Sequence, residues 1–165
     1  MRDYLTLCKP RVVLLMLLTV WAGMYLAAVN PIPWYLWVNA TVGIALLSGA
    51  AATLNHIIDQ HVDALMDRTK HRPLAAGRLT TRNAWIFAIT QSIIGFVILF
   101  VGVNSLTAWL TLLAAVGYSI VYSLYLKRAT SQNIVIGGLS GAMPPLLGWT
   151  AVSGQLDPQS WLLVL

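Results

Sequence analysis

The stretch that most constrains the architecture is residues 34–73, WYLWVNATVGIALLSGAAATLNHIIDQHVDALMDRTKHRP. Its first part is an apolar run long enough to cross a bilayer, because a helical span needs about 20 apolar residues. Its second part places polar side chains four residues apart, at Asn55, Asp59, Asp63 and Asp67. The stretch therefore predicts one long helix that crosses a membrane and continues into water with a polar stripe.

The composition also indicates a membrane protein. Only 9% of the 165 residues are charged and 58% are hydrophobic, whereas soluble domains carry about 25% charged residues. Such a chain cannot cover a water-facing surface, so we expect it to lie in a lipid bilayer. The net charge of +5 does not indicate a nucleic-acid partner, because the cations lie in short loops between apolar runs.

The apolar runs predict an all-α, polytopic transmembrane helical bundle, because in lipid each span must satisfy its own backbone hydrogen bonds. Five complete helices and the start of a sixth are expected, near residues 12–29, 34–60, 83–102, 106–126 and 133–152, and from Pro158. We treat residues 1–165 as a single transmembrane domain. Because the chain stops inside an apolar segment, we expect this domain to be incomplete at its C-terminal end.

The distribution of charge gives the orientation of these spans. If the spans alternate in direction, all ten Lys and Arg residues fall on one side of the membrane, and the opposite loops contain only Asp157. The positive-inside rule places the basic side in the cytoplasm or the equivalent compartment of an organelle. We expect a bacterial inner membrane, with the N-terminus and the basic loops in the cytoplasm.

The polar stripe has the geometry of a metal site. Four residues advance about 400° around a helix, so Asn55, Asp59 and Asp63 share one face, and Asp67 drifts to about 120° from Asn55. Stacked carboxylates repel one another, and a bound cation would offset that repulsion. Mg²⁺ binds through one or two carboxylates and keeps other positions for water and phosphate. The shared face therefore predicts a Mg²⁺ site, with Asp67 outside it.

Cations follow the stripe directly, at Arg68, Lys70 and Arg72. Arginine offers phosphate a planar pair of donors and lysine a point charge, so this loop suits a diphosphate held by Mg²⁺. A simpler interpretation is that the acids form a solvated helix extension paired with neighbouring cations, and that the loop serves topology alone. The position of the acids at the membrane boundary favours the functional interpretation.

The pattern N-x-x-x-D-x-x-x-D at the end of the second span resembles the first aspartate-rich motif of the UbiA superfamily of intramembrane aromatic prenyltransferases. Three further stretches support the resemblance: residues 3–24, 68–80 and 131–149. The last contains QNIVIGG and GAMPPLLGW, which resemble the branch that transfers a farnesyl group to haem more than the branches that act on quinone precursors.

The resemblance implies a reaction and a set of roles. Farnesyl diphosphate would be the donor, haem B the acceptor at its 2-vinyl group, haem O the product and Mg²⁺ the cofactor. The residues implied to bind Mg²⁺ are Asn55, Asp59 and Asp63. The residues implied to bind diphosphate are Asn55, Arg68, Lys70, Arg72, Tyr122 and Arg128. The residues implied to be catalytic are Asp59, Asp63 and Lys127.

One departure from the superfamily pattern limits these implications. The superfamily has nine helices and a second aspartate-rich motif after the sixth, and this chain ends before that motif. We therefore expect the chain to be an N-terminal portion of the enzyme and to be inactive alone. The alternatives are a prenyltransferase for a quinone or another aromatic acceptor, a cation transporter or channel, and a non-catalytic anchor or assembly subunit. An oligomer and terminal-oxidase assembly partners also remain open.

Two smaller features allow alternative interpretations. His56, His61 and His71 could each ligate haem iron, although polar residues at a membrane interface are the simpler account. Pro144 and Pro145 lie inside the fifth span, where paired prolines bend a helix. They could widen a cavity for a flat macrocycle or accompany close packing at small residues.

Overall fold

A computed structural model of the protein describes residues 2–119 and 133–164. The described chain forms these helices in order: α1 (Arg2–Leu7), α2 (Pro10–Ala27), α3 (Trp34–Leu65), α4 (Thr81–Gly102), α5 (Ser105–Val116), α6 (Asn133–Ser153) and α7 (Pro158–Trp161). The all-α architecture expected from the sequence is confirmed. The predicted spans correspond to α2, α3, α4, α5 and α6, and residues 120–126 of the fourth predicted span lie outside the described residues. The short α7 begins at the proline where the sixth span was expected.

Three of the described helices, α2, α3 and α4, are long and apolar enough to cross a membrane. The 32 residues of α3 make it about 48 Å long, whereas the hydrocarbon core of a bilayer is about 30 Å thick. Its C-terminal turns therefore extend past the hydrocarbon. Those turns carry the polar stripe, as the sequence predicted.

Local sequence explains where the helices begin. The side chain of Thr80 accepts a hydrogen bond from the backbone N–H of Asn83 at 3.3 Å and caps α4. Asn104 accepts one from the backbone N–H of Thr107 at 2.8 Å and caps α5. Each cap satisfies a backbone donor that the first helical turn leaves without an intrahelical partner.

The bundle is built from two closely packed helix pairs, α3 with α4 and α2 with α6. The second pair crosses at two glycines. A Cβ atom added to Gly23 would overlap the carbonyl oxygen of Pro145, and one added to Gly148 would overlap that of Val20. The contact between α2 and α6 is therefore backbone to backbone, and a larger side chain at either glycine would force the helices apart.

Helix α1 was not expected from the sequence, because six residues with two charges give no span signal. It is anchored by the buried Leu7, which packs with Leu74 and Ala84 in a small core. Its Asp3 carboxylate lies 3.1 Å from Nε of Arg78. These contacts join α1 to the loop of residues 66–80 between α3 and α4, which we call the basic loop.

Candidate active site

The polar end of α3 presents Asn55, Asp59 and Asp63 on one side, and we call this set the acidic face. Asn55 and Asp63 are each only 5% exposed, and Asp59 is half-buried. Successive members are about 6 Å apart along the axis. Because Asn55 and Asp63 are shielded from water, they can interact strongly with a bound cation.

Asp63 has a specific cationic partner. Nη1 of Arg72, in the basic loop, lies 2.6 Å from Oδ2 of Asp63. The hydroxyl of Thr69 also donates to the backbone carbonyl of Asp63 at 3.1 Å, which satisfies an acceptor near the end of α3. The basic loop therefore folds back onto the acidic face. The sequence had predicted Asp63 as a metal ligand and Arg72 as a phosphate ligand, and the structure pairs the two with each other.

The remaining charged residues of this region lie further out. Helix α3 ends at Leu65, so Asp67 lies beyond the helix end and outside the acidic face, to which the sequence had not assigned it. Its carboxylate is 2.7 Å from Nζ of Lys70, and both side chains are exposed. Arg68 is also exposed. Arg68 and Lys70 thus lie on the water-facing part of the basic loop, whereas Arg72 reaches inward.

Three predicted site residues, Tyr122, Lys127 and Arg128, lie outside the described residues. Their assignment to diphosphate binding or catalysis therefore remains a prediction from the family resemblance.

An apolar cavity of about 510 Å³ opens beside the acidic face, between α2, α3, α5 and α6. Asn55 belongs to both features, because it also lines the cavity. The other lining residues are mainly small or apolar and include Val13, Met16, Ala51, Ala115, Met143 and Leu147. The structure therefore joins a cation-binding surface to a space suited to a hydrocarbon chain, and Asn55 marks the junction.

Lys9 is a cavity residue that was not expected from the sequence. It lies in the turn between α1 and α2, lines the cavity and is half-buried. Its charge had been used only to assign topology. A cavity of this kind brings together residues that are distant in sequence, so no local pattern could have placed Lys9 and Asn55 in one cavity lining.

The donor set of the acidic face fits part of a Mg²⁺ site, because one amide and two carboxylate oxygens are hard ligands that Mg²⁺ accepts. The short contact of Asp63 with a guanidinium also shows that this carboxylate holds a cation while buried. Within residues 2–119 and 133–164, no three His, Cys, Asp or Glu side chains come together as a metal-binding group. A Mg²⁺ ion on this face would therefore take its remaining ligands from water, phosphate or other parts of the protein.

His56 lies next to the acidic face on α3 and is 3% exposed. Neither of its ring nitrogens has a hydrogen-bond partner in the described part of the chain. It does not line the cavity, which gives no support to a role as an iron ligand there. His61 and His71 are exposed, in agreement with the simpler account of polar interface residues.

The fold and this site define an integral membrane protein of the helical-bundle class, with a polar site where an apolar cavity meets the end of a membrane helix. A sequence model of the UbiA prenyltransferase family matches residues 16–165. The chain belongs to the UbiA prenyltransferase family.

Two curated relatives are more than half identical to the chain. The chain is 56% identical to a protein of Hahella chejuensis and 58% identical to one of Legionella pneumophila (strain Paris), each over 164 residues. Both relatives are named protoheme IX farnesyltransferase. The match covers 99% of this chain but 55% and 56% of those proteins. The chain thus spans about half the length of the curated relatives it matches.

Solved structures show the same fold. A UbiA homologue from Archaeoglobus fulgidus bound to DMAPP and Mg²⁺ aligns with a TM-score of 0.77 at 20% identity, over 98% of this chain and 59% of that one. The homologue bound to GPP and Mg²⁺ gives 0.77 at 21% identity, over 98% and 58%. The UbiA fold expected from the resemblance is therefore confirmed.

Proposed function

We propose that the protein containing this chain transfers a farnesyl group from farnesyl diphosphate to the 2-vinyl group of haem B, also called protohaem IX, in haem O and haem A biosynthesis. The C–O bond to the diphosphate breaks, a C–C bond forms to the vinyl carbon, and water supplies the hydroxyl of the resulting side chain. The products are haem O, diphosphate and a proton. The observation that carries this proposal is the position of Asn55, which belongs both to the acidic face and to the wall of the apolar cavity.

The diphosphate group of farnesyl diphosphate is assigned to the acidic face. Asn55, Asp59 and Asp63 would hold Mg²⁺, which supplies charge stabilisation to the leaving diphosphate when bound. The homologues from Archaeoglobus fulgidus were solved with Mg²⁺ together with DMAPP or GPP, which supports Mg²⁺ as the cofactor here. Arg72 would turn from Asp63 toward a phosphate oxygen, and Arg68 and Lys70 would approach the diphosphate from the water side.

Residues outside the described part of the chain complete this assignment. By the family resemblance, Tyr122 and Arg128 would contact the diphosphate. Lys127 would act with Asp59 and Asp63 in catalysis, by stabilising negative charge on the leaving group.

The cavity is assigned to the farnesyl chain and to the allylic cation that forms from it. Its volume of about 510 Å³ lies within the usual range for ligand pockets, about 300–1,000 Å³. The apolar walls would keep water away from the cation until the vinyl group has reacted. The names of the relatives from Hahella chejuensis and Legionella pneumophila support protohaem IX as the acceptor.

The site also implies a location. We assign the protein to the bacterial inner membrane with the acidic face toward the cytoplasm, because all ten Lys and Arg residues follow the positive-inside rule in the expected topology. Both water-soluble products, the diphosphate from the donor and the proton from water, would then leave on the cytoplasmic side. Assembly partners such as terminal oxidases would receive the haem product.

The proposal is tested by supplying the full-length gene product, in membranes, with labelled farnesyl diphosphate, haem B and Mg²⁺. Label should move to haem, and Asp59→Ala should abolish the transfer. Asp67→Ala is the matched control, since Asp67 is exposed and pairs with Lys70 outside the acidic face. Transfer to haem that survives Asp59→Ala would overturn the metal site. Transfer to a quinone precursor instead of haem would overturn the acceptor but retain the reaction class.

A further inference from the structure

Lys9 gives the cavity a property that the proposed function does not use. Among the described residues that line the cavity, Lys9 is the one with a formal charge. Val12 and Val13 on α2 and Asn55 on α3 line the same cavity. A charge in a largely apolar space interacts more strongly with an opposite charge than it would in water.

The backbone of Lys9 is held in a conformation that non-glycine residues rarely adopt. Its φ is 48° and its ψ is 61°, in the left-handed region, which is unfavourable for a residue with a Cβ atom. Pro10 follows at the first turn of α2, and the buried Leu7 fixes α1 on the other side. Backbone strain of this kind persists only where the surrounding structure enforces it, and it is concentrated at ligand sites.

We propose that Lys9 binds an anionic group of a substrate, a phosphate or a carboxylate, at the wall of the cavity. The inference rests on the proposed function, which supplies two ligands that carry such groups. The donor ends in a diphosphate, which would lie at the acidic face near Asn55. The acceptor carries carboxylates on a flat apolar ring. In either case Lys9 positions a substrate whose apolar part fills the cavity.

A role in topology alone would not distinguish Lys9 from its neighbour. Arg11 carries the same charge two residues further along, and it is exposed and does not line the cavity. Arg11 therefore serves as the matched control for any effect of charge at this membrane boundary.

The test measures binding rather than turnover, on the purified full-length gene product in lipid nanodiscs. The variants are Lys9→Gln, Lys9→Arg and Arg11→Gln. The probes are farnesyl thiodiphosphate with Mg²⁺, protohaem, and protohaem dimethyl ester, whose carboxylates are blocked. Lys9→Gln should weaken one anionic probe by about tenfold or more, as expected for loss of a hydrogen bond to a charged group. Lys9→Arg should restore most of that affinity, and Arg11→Gln should leave it unchanged.

The pattern of the effect identifies the source of the anion. Weaker binding of farnesyl thiodiphosphate assigns Lys9 to the diphosphate. Weaker binding of protohaem, with unchanged binding of its dimethyl ester, assigns Lys9 to a carboxylate. Unchanged affinity for both anionic probes in Lys9→Gln would overturn the inference. So would an equal loss in Arg11→Gln.

A second measurement covers the case in which Lys9→Gln does not fold. In the unaltered protein, an amine-reactive reagent should label Lys9 more slowly when an anionic probe is bound, and farnesol or the dimethyl ester should give no protection. Equal labelling with all ligands would overturn the inference. A parent protein that binds the probes but transfers nothing to haem would overturn the proposed acceptor alone. One that binds neither anionic probe would overturn both proposals.

Discussion

Arg72 and Asp63 form an ion pair in which Nη1 lies 2.6 Å from Oδ2, and the Asp63 side chain is only 7% exposed. The pair joins the basic loop to the end of α3. The negative charge of the Asp63 carboxylate that attracts the Arg72 guanidinium would also attract a metal ion. Binding of Mg²⁺ at this carboxylate would therefore compete with Arg72 and release its guanidinium for another anion.

Loss of Arg72 should destabilise the fold in a way that Mg²⁺ reverses. Arg72→Gln leaves Asp63 buried without its cation, and we expect a loss of about 2 kcal/mol, less than the ~3–5 kcal/mol of a fully buried pair because Arg72 keeps 30% exposure. Thermal unfolding in nanodiscs with and without Mg²⁺ measures both effects. The exposed pair of Lys70 and Asp67 is the control, and Lys70→Gln should cost less than about 1 kcal/mol. Equal losses in the two variants would contradict the prediction.

The crossing of α2 and α6 should tolerate no added volume. Gly148→Ala places a Cβ atom against the carbonyl oxygen of Val20, and we expect a loss of about 2 kcal/mol, in the range of overpacked cores. Gly117→Ala is the control, because no described residue lies within 4 Å of the added Cβ and the backbone angles are helical. That change should be neutral or stabilising by about 0.5 kcal/mol. Chemical denaturation measures the free energy of unfolding of both variants. An unchanged value in Gly148→Ala would show that α2 and α6 can separate freely.

Asn104 should contribute more stability than an ordinary helix cap. Its side chain caps α5 and also donates to the backbone carbonyl of Thr150 on α6 at 3.0 Å. Asn104→Ala removes both interactions, and we expect a cost of about 2 kcal/mol, roughly half from each. Thr80→Ala, at the exposed cap of α4, should cost only about 0.5–1 kcal/mol. The unfolding midpoints of the two single variants measure this difference. Equal losses of stability in Asn104→Ala and Thr80→Ala would show that Asn104 contributes only as a helix cap.

His56 should be replaceable by an apolar residue without loss of stability. Its buried ring nitrogens have no hydrogen-bond partner among the described residues. A buried polar group left in this way costs free energy, so His56→Leu should be neutral or stabilising by up to about 1 kcal/mol. Thr150→Val provides the contrast, because the Thr150 hydroxyl is fully buried, donates to the carbonyl of Leu147 and accepts from Thr107. That change should destabilise by about 1 kcal/mol. A marked loss in His56→Leu, measured by thermal unfolding, would mean that the imidazole has a stabilising partner.

The periodicity of the sequence was sufficient to predict the long elements. An uninterrupted apolar run followed by polar residues four apart predicted that α3 leaves the membrane as a helix, and Asp67 was expected beyond the shared face. Both expectations depend on local geometry alone, since the angle per residue fixes which side chains share a face. Such inferences need no knowledge of neighbouring helices.

Contacts between distant segments could not be predicted in the same way. The pairing of Arg72 with Asp63 depends on how the basic loop returns to α3, and a loop has no repeating period to reveal its path. Helix α1 was missed because its six residues are too short to give a periodic signal. Lys9 was assigned to topology alone, because only the packed bundle brings it to the cavity wall.

The glycine crossing limits how the cavity can adapt to ligands of different length. Val13 and Met16 on α2 and Met143 and Leu147 on α6 line the cavity, and the backbone contact fixes the separation of these two helices. Widening by helix movement would break that contact. Adjustment therefore falls to Met16 and Met143, whose unbranched side chains can change rotamer at low cost. Under the proposed function, tolerance for longer or shorter donor chains should depend on these two methionines more than on motion of the bundle.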